Sequence, residues 1–222
     1  IQDIYQMPAD TEQAEALALI DKLNADPTIN GVMVQLPAPK QIDADELLER
    51  IDPNKDVDGL TPANIGRLWM ENHFVEPATA EGIIALLKHY QITLAGKRVV
   101  VIGRSNIVGK PVAALMLEEN ATVTVCHLYT KNLAEITRQA DIVVSATGQA
   151  FLVTADMVKD GAVVVDVGMN HVNGKLVGDV DFDNVKEKAS YITPVPGGVG
   201  PLTVQFLMEA VVKLTRRQNG RE

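Results

Sequence analysis

The sequence predicts an α/β protein: a doubly wound parallel sheet beside a smaller α/β unit that the C-terminal helix completes. Three observations predict it. The second half alternates short β-branched runs with helical patterns, a glycine-bounded turn follows the first of these runs, and the first stretch is helix-dominated with too few strands to stand alone.

The expected strands are residues 98–103 (RVVVIG), 122–127 (TVTVCH), 141–145 (DIVVS), 162–167 (AVVVDV) and 190–193 (SYIT). Each is apolar on both faces, the pattern of buried parallel strands. Helices are expected between them at 109–119, 132–139 and 154–159. In the first stretch, 11–24 has helical periodicity with Thr11 as N-cap and Ala14, Leu17, Ala18 and Leu23 on the apolar side. Residues 31–35 read as a short strand that ends where Pro37 and Pro39 forbid continuation. Residues 44–51 and 62–71 read as helices, and the last helix, 203–217, is expected to return and pack on this unit.

Composition narrows the function classes. The 222 residues are 46% hydrophobic and 22% charged, as in ordinary globular chains. No apolar run approaches the ~18 residues of a membrane helix, and no signal segment opens the chain. The single cysteine excludes an internal disulfide framework. A net charge of -9 without a basic face argues against nucleic acid as a partner. A cytoplasmic protein is expected, with neither a membrane nor a nucleic-acid partner. Arg104, Lys110 and Lys131 remain available to bind a small anion locally.

The first strand runs into Gly103-Arg104-Ser105-Asn106-Ile107-Val108-Gly109, and a helix then opens at Lys110-Pro111. Glycines at both ends allow a tight turn and bring a helix N-terminus toward a pyrophosphate, whose charge the free N–H groups favour. The spacing is not G-x-G-x-x-G, and a plain strand-to-helix turn is the alternative. An acid ending the next strand, about 20 residues on, usually holds the ribose of NAD. Here that strand ends Cys126-His127-Leu128. With no carboxylate there, and with Arg104 able to pair with a 2′-phosphate, NADP is the favoured cofactor. Cys126 reads as a small core residue, and His127 either lines an adenosine pocket or is structural. Gly148, in Thr147-Gly148-Gln149, and Gly168-Met169 also stand at strand ends, where a cofactor can lie or a simple turn can form.

Asp52-Pro53-Asn54-Lys55-Asp56-Val57-Asp58-Gly59 resembles a calcium loop, but Ile65 stands where a closing Glu is needed, so no metal is expected. A carboxylate beside a cleft can instead accept paired hydrogen bonds from an amino-pyrimidine edge. An exposed capping Asp is the alternative for Asp56 and Asp58. Residues 194–203, PVPGGVGPLT, form a stiff loop able to approach a flat ligand, or else a crossover between units.

That last segment closely resembles a signature of the bifunctional methylenetetrahydrofolate dehydrogenase/cyclohydrolase family. Leu23-Asn24-Ala25-Asp26 with Val32-Met33-Val34-Gln35-Leu36-Pro37 resembles the family's other signature. Lys55-Asp56-Val57-Asp58-Gly59, the turn at 103–109 and Ala146-Thr147-Gly148-Gln149 match in order, so the resemblance spans the chain. It implies a Rossmann-like cofactor domain at 81–201 and a catalytic, folate-binding domain from 1–80 and 202–222. Gln35 and Asp58 fall on catalytic positions, Asp58 at the pterin's amino-pyrimidine edge. Val34, Leu36, Pro196, Gly197, Gly200 and Pro201 fall on substrate-binding positions. Gly103, Arg104, Ser105, Ile107, Gly109, Gly148 and Met169 fall on cofactor positions. Thr79 matches a hinge threonine, although Ala80 replaces the expected proline. The resemblance also implies a homodimer acting on tetrahydrofolate derivatives.

Two departures qualify it. At Leu128 many members carry a serine that contacts the 2′-phosphate, so the NADP preference leans on Arg104. The family also has some sixty further residues before Ile1, including a Tyr-x-x-x-Lys motif with the main catalytic lysine, and no Tyr-x-x-x-Lys occurs in this sequence. The implied reactions are NADP-dependent oxidation of 5,10-methylenetetrahydrofolate to the methenyl form and its hydrolysis to 10-formyltetrahydrofolate. An N-terminally truncated form with weak hydrolysis is therefore expected. The rivals are a non-catalytic nucleotide-binding or dimerisation fragment and an NAD-dependent monofunctional dehydrogenase.

Overall fold

A computed structural model describes residues 2–221; the outermost residues of the expected catalytic segments, Ile1 and Glu222, lie outside the described residues. The chain opens with helices α1 (Gln13–Ala25), α2 (Ala44–Arg50), α3 (Pro62–Trp69) and α4 (Ala78–His89). It continues through β1 (Arg98–Ile102), α5 (Gly109–Glu118), β2 (Thr122–Cys126), α6 (Leu133–Thr137), β3 (Ile142–Ser145) and β4 (Val163–Asp166). Next come β5 (Asn170–Val172), β6 (Lys175–Val177), α7 (Phe182–Val185), β7 (Tyr191–Ile192) and the long α8 (Gly200–Gln218).

The main sheet has the order β2-β1-β3-β4-β7, parallel throughout. Period-two alternation gives the central strands β1, β3 and β4 two buried faces. Val99 and Val101 join Ile83, Leu87, Val112 and Met116 of α4 and α5 in one core. Val100 and Ile102 join Val143, Val164, Val158 and Val185 on the opposite face, with Leu133 and Ile136 of α6 packed against them. The chain leaves β1 toward β2 and then crosses back to β3 on the other side. That reversal places the topological switch point between β1 and β3, where a crevice opens at the carboxyl ends of open α/β sheets.

A third core joins Ala16 and Ile20 of α1 to Leu47 and Leu48 of α2. Helix α8 does return to the first stretch, burying Ala210 and Leu214 against Val57 and Val75. It also packs on α4, where a Cβ on Gly82 would lie 3.0 Å from the Leu202 Cβ. Among the described residues no helix is long and apolar enough to cross a membrane.

Several local expectations fail for identifiable reasons. Residues 31–35 form no strand; a single parallel bridge joins Val32 to Asp56, and no ladder extends it. Thr11 does not cap α1: Glu12 holds that place, and the buried Thr11 hydroxyl donates to the Pro8 carbonyl. Residues 154–159 make only a 3-10 turn at Ala155–Met157, because Val158 is extended and buried in the sheet's core. β2 is not buried on both faces, since it is an edge strand with Val125 39% exposed. Helix α4 and the β5–β6 hairpin were outside the expected elements. The hairpin's signal was Asn173-Gly174, which turns with both residues at positive φ.

Candidate active site

Parallel pairing brings the residues after β1, β3, β4 and β7 to one edge of the sheet. Gly103 follows β1 with φ 116, and a Cβ there would lie 2.2 Å from the Ala146 carbonyl oxygen beyond β3. A Cβ on Gly109 would lie 2.2 Å from the Gly103 carbonyl oxygen. The turn is thus closed backbone against backbone, across the switch point. Ser105 Oγ accepts the N–H groups of Val108 and Gly109 at 3.2 and 3.3 Å, shaping the entrance to α5. Ile107 is 40% exposed beside it. Lys110 is tied to the Asn106 side chain, whereas exposed Arg104 has no hydrogen bond or ion pair among the described residues.

Beyond β2, Leu128 is 86% exposed, and the His127 Nδ1 accepts the Tyr129 N–H at 3.2 Å. Cys126 is buried, as expected of a core thiol. On the other side of the switch point Gly148 has φ 67 with open space around it, and Met169 is exposed. Gly148 and Met169 are thus exposed beyond the carboxyl ends of β3 and β4.

The acidic loop separates its two carboxylates sharply. Asp56 is buried and accepts the Thr61 N–H at 2.8 Å and the Asn64 Nδ2–H at 2.9 Å. The alternative of an exposed capping Asp therefore fails for Asp56. Asp58 accepts no hydrogen bond among the described residues, and burial, reinforced by the nearby Asp56 charge, pushes it up to about 6. Lys55 points away: its Nζ donates to the carbonyls of Leu23, Asn24 and Asp26 at 2.9, 2.7 and 2.7 Å. The parallel bridge to Val32 sends the 32–36 segment off in the same direction as Asp56-Val57-Asp58. Gln35 is exposed there, its amide donating to the Leu36 carbonyl at 3.2 Å. The Val34 and Leu36 side chains are partly buried against the α1–α2 core.

The proline-glycine loop starts from Thr193, whose hydroxyl accepts the Asp166 N–H at 2.8 Å and so ties β7 to the end of β4. Val195-Pro196 and Leu36-Pro37 are both cis. Pro196, Gly197, Gly200 and Pro201 are exposed, while Val199 is buried and anchors the loop. Two contacts join this loop to the acidic one through the start of α4. Gly59 packs on the backbone of Glu76 and Pro77, and the Thr79 and Thr203 hydroxyls lie 3.0 Å apart.

The family model for the tetrahydrofolate dehydrogenase/cyclohydrolase catalytic domain matches residues 2–58, and that for the family's NAD(P)-binding domain matches residues 77–219. The chain belongs to the tetrahydrofolate dehydrogenase/cyclohydrolase family. It is 87% identical to the bifunctional protein FolD of Lactobacillus acidophilus over 222 residues, covering 100% of this chain and 78% of that protein. Its fold matches the crystal structure of the bifunctional FolD enzyme of Campylobacter jejuni with a TM-score of 0.90 at 50% identity, covering 94% of this chain and 75% of that one. The Trypanosoma brucei methylenetetrahydrofolate dehydrogenase-cyclohydrolase, solved with NADP and an inhibitor, matches with a TM-score of 0.90 at 43% identity, covering 95% and 75%.

Within this family fold, sequence reasoning overlooked a pair of buried acids. Asp166 ends β4, and Asp179 follows the hairpin with 3% and 0% of their surfaces exposed, respectively. Burial, aided by the charge of Asp179, raises Asp166 above the usual carboxylate range despite its backbone hydrogen bonds. A local signal did exist, since Gly168 and Gly178 flank the hairpin and each leaves room for one of these carboxylates.

Proposed function

We propose that this chain oxidises 5,10-methylenetetrahydrofolate to 5,10-methenyltetrahydrofolate with NADP and hydrolyses the product to 10-formyltetrahydrofolate. The observation that carries this reading is Asp58. It is a largely buried carboxylate without a partner among the described residues, in a loop that shares the α4 entrance with the proline-glycine loop. Such a group is suited to an amino-pyrimidine edge, whose paired N–H donors would replace its lost solvation. In this reading residues 1–80 and 202–222 bind folate and 81–201 bind the cofactor. The packing of α8 on Val57 and Val75 supports that division.

The residues present fit NADP. The turn at 103–109 has no room for side chains at either glycine and offers backbone close to a pyrophosphate, and unpaired Arg104 suits a 2′-phosphate. Bound NADP supplies the hydride acceptor. The chain's own work is alignment: Asp58 holds the pterin, Gln35 lies beside the one-carbon bridge, and Pro196, Gly197, Gly200 and Pro201 border it. Nitrogen lone pairs of the substrate stabilise the methenyl cation left when the C–H bond breaks. In hydrolysis, water adds to that carbon and one C–N bond opens, which requires proton transfer. The 222 residues contain no Tyr-x-x-x-Lys, and Lys55 is engaged at α1. Hydrolysis by these residues alone is proposed to be slower by ~10²–10⁴-fold than by a relative carrying the motif.

The test follows NADPH absorbance with methylenetetrahydrofolate and compares NADP with NAD. NADPH formation with NADP preferred supports the proposal. Binding of NADPH without turnover favours a nucleotide-binding fragment, and a preference for NAD favours the monofunctional rival. The family resemblance also carries a cytoplasmic homodimer, which light scattering on the purified chain checks for oligomeric state.

A further inference from the structure

The fold buries Asp179 completely and surrounds it with donors from two separate segments, 145–148 and Asn170. Its Oδ2 accepts the Ser145 hydroxyl at 3.1 Å, the Thr147 N–H at 2.7 Å, the Thr147 hydroxyl at 2.9 Å and the Gly148 N–H at 3.3 Å. Its Oδ1 accepts the Asn170 Nδ2–H at 3.0 Å. Asp166 in turn fixes the main chain that carries it, accepting the N–H groups of Gly168, Asp179 and Val180, each at 2.9 Å. No cation approaches either carboxylate among the described residues. A buried anion satisfied only by neutral donors carries a desolvation cost that an apolar residue would not. The chain even forgoes side chains to admit it: a Cβ on Gly168 would lie 2.2 Å from Asp179 Oδ1.

The division of labour between the two acids is informative. Asp166 holds the hairpin's backbone, so the hairpin does not depend on the Asp179 side chain for that. Asp179 reaches instead into the turn after β3, across the switch point from β2. Ala146, at the start of this turn, presses on Gly103 of the pyrophosphate turn. In a doubly wound sheet the adenosine lies over the β2 side of that turn, and the nicotinamide over the strand ends on the other side. Here those ends are Thr147-Gly148 and Met169-Asn170, the two segments that Asp179 ties together.

We propose that Asp179 is a positioning residue for the nicotinamide half of NADP. Without touching the cofactor, its carboxylate sets the spacing between the turn after β3 and the segment after β4. This rests on the NADP-dependent reading above, and the test separates the two. Dissociation constants are measured by titration for NADPH and for adenosine 2′,5′-bisphosphate, which lacks the nicotinamide. Asp179→Asn keeps the shape and removes the charge, so it should weaken NADPH about tenfold, as expected for lost charge-assisted hydrogen bonds. The bisphosphate should change by less than about twofold, and the KM for methylenetetrahydrofolate should hold. A merely structural role would move both nucleotides together. Ser145→Ala, buried within β3 and out of a cofactor's reach, removes one donor and should weaken NADPH alone by about threefold. It decides the matter if Asp179→Asn does not fold. Equal losses for both nucleotides, or no loss in a folded variant, overturn the proposal. Wild-type chain that binds the bisphosphate but discriminates against the nicotinamide end overturns the functional reading and the proposal together, as does wild-type chain that binds neither.

Discussion

Asp56 and Asp58 stand two residues apart in one loop, yet Thr61 and Asn64 satisfy Asp56 while Asp58 is left without a donor among the described residues. The neighbouring charge adds to burial in holding Asp58 up at about 6. Its folded value is therefore above its unfolded one, near 3.8. The stability this group contributes is fully present below about 3.8 and is lost as pH rises through about 6. Asp58→Asn should match wild type at pH 4 and exceed it at pH 8 by up to about 3 kcal/mol in urea unfolding. A difference that does not grow with pH would show that Asp58 is not desolvated.

The same titration governs ligand binding in the opposite sense. Paired donors of an amino-pyrimidine require the carboxylate, so affinity should fall as pH drops through about 6. Below that value the KM for the folate substrate should rise by about tenfold per pH unit. Asp58→Asn should show a high KM with no such dependence. Steady-state kinetics from pH 5 to 8 check it, and a wild-type KM flat over that range counts against an Asp58–pterin contact.

Gly109 and Gly148 are both proposed to face the cofactor, but different local constraints require glycine at each. A Cβ at Gly109 meets the Gly103 carbonyl at 2.2 Å, whereas Gly148 has open space and only its φ of 67 to satisfy. Gly109→Ala should cost about 1–3 kcal/mol through overpacking and distort the pyrophosphate turn, with NADPH affinity falling as well. Gly148→Ala should cost about 1 kcal/mol, the left-handed penalty alone. Denaturant midpoints order the two, and a larger loss at Gly148 would contradict the close packing of 103 against 109.

Legibility followed how local the physics was. The Val-rich strands were readable because both sheet faces are buried, and the turn at 103–109 because Gly109 answers a contact with Gly103 inside the same motif. Residues 31–35 misled because β propensity cannot reveal that only Asp56 stands beside Val32. Asp56 and Asp58 look alike in sequence, and their difference lies in Asn64, which one carboxylate reaches and the other does not. For Asp179 the only local hint was the pair Gly168 and Gly178, because its donors at Ser145 and Thr147 lie more than thirty positions away.

Arg104 offers a direct measure of cofactor choice. It is exposed, has no partner among the described residues, and follows the first glycine of the turn. The Leu128 side chain offers no donor, so under the proposed function Arg104 is expected to carry most of the 2′-phosphate recognition. Arg104→Gln should weaken NADPH by about 10–100-fold, the worth of a charge-assisted pair, and leave NADH within about twofold. Parallel titrations with the two nucleotides test this. Equal losses would move the 2′-phosphate contact elsewhere.

Lys55 is the lysine nearest Asp58 in sequence, and its surroundings argue that it is not a substitute for the family's catalytic one. Its ammonium is held by three carbonyls at the end of α1, where the last turn of a helix presents unsatisfied acceptors and partial negative charge. With three donors on the nitrogen and three acceptors around it, no proton remains to offer to a substrate. Lys55→Met keeps the aliphatic stem and removes the cap. It should lower stability by about 2–3 kcal/mol, because charged hydrogen bonds are lost and buried carbonyls are left bare. Below the melting temperature, the rates of NADPH formation and of methenyltetrahydrofolate hydrolysis should both stay within about twofold of wild type, since a cap distant from the reacting atoms does not enter the barrier. A stable Lys55→Met protein that has lost hydrolysis would instead place this ammonium in the cleft.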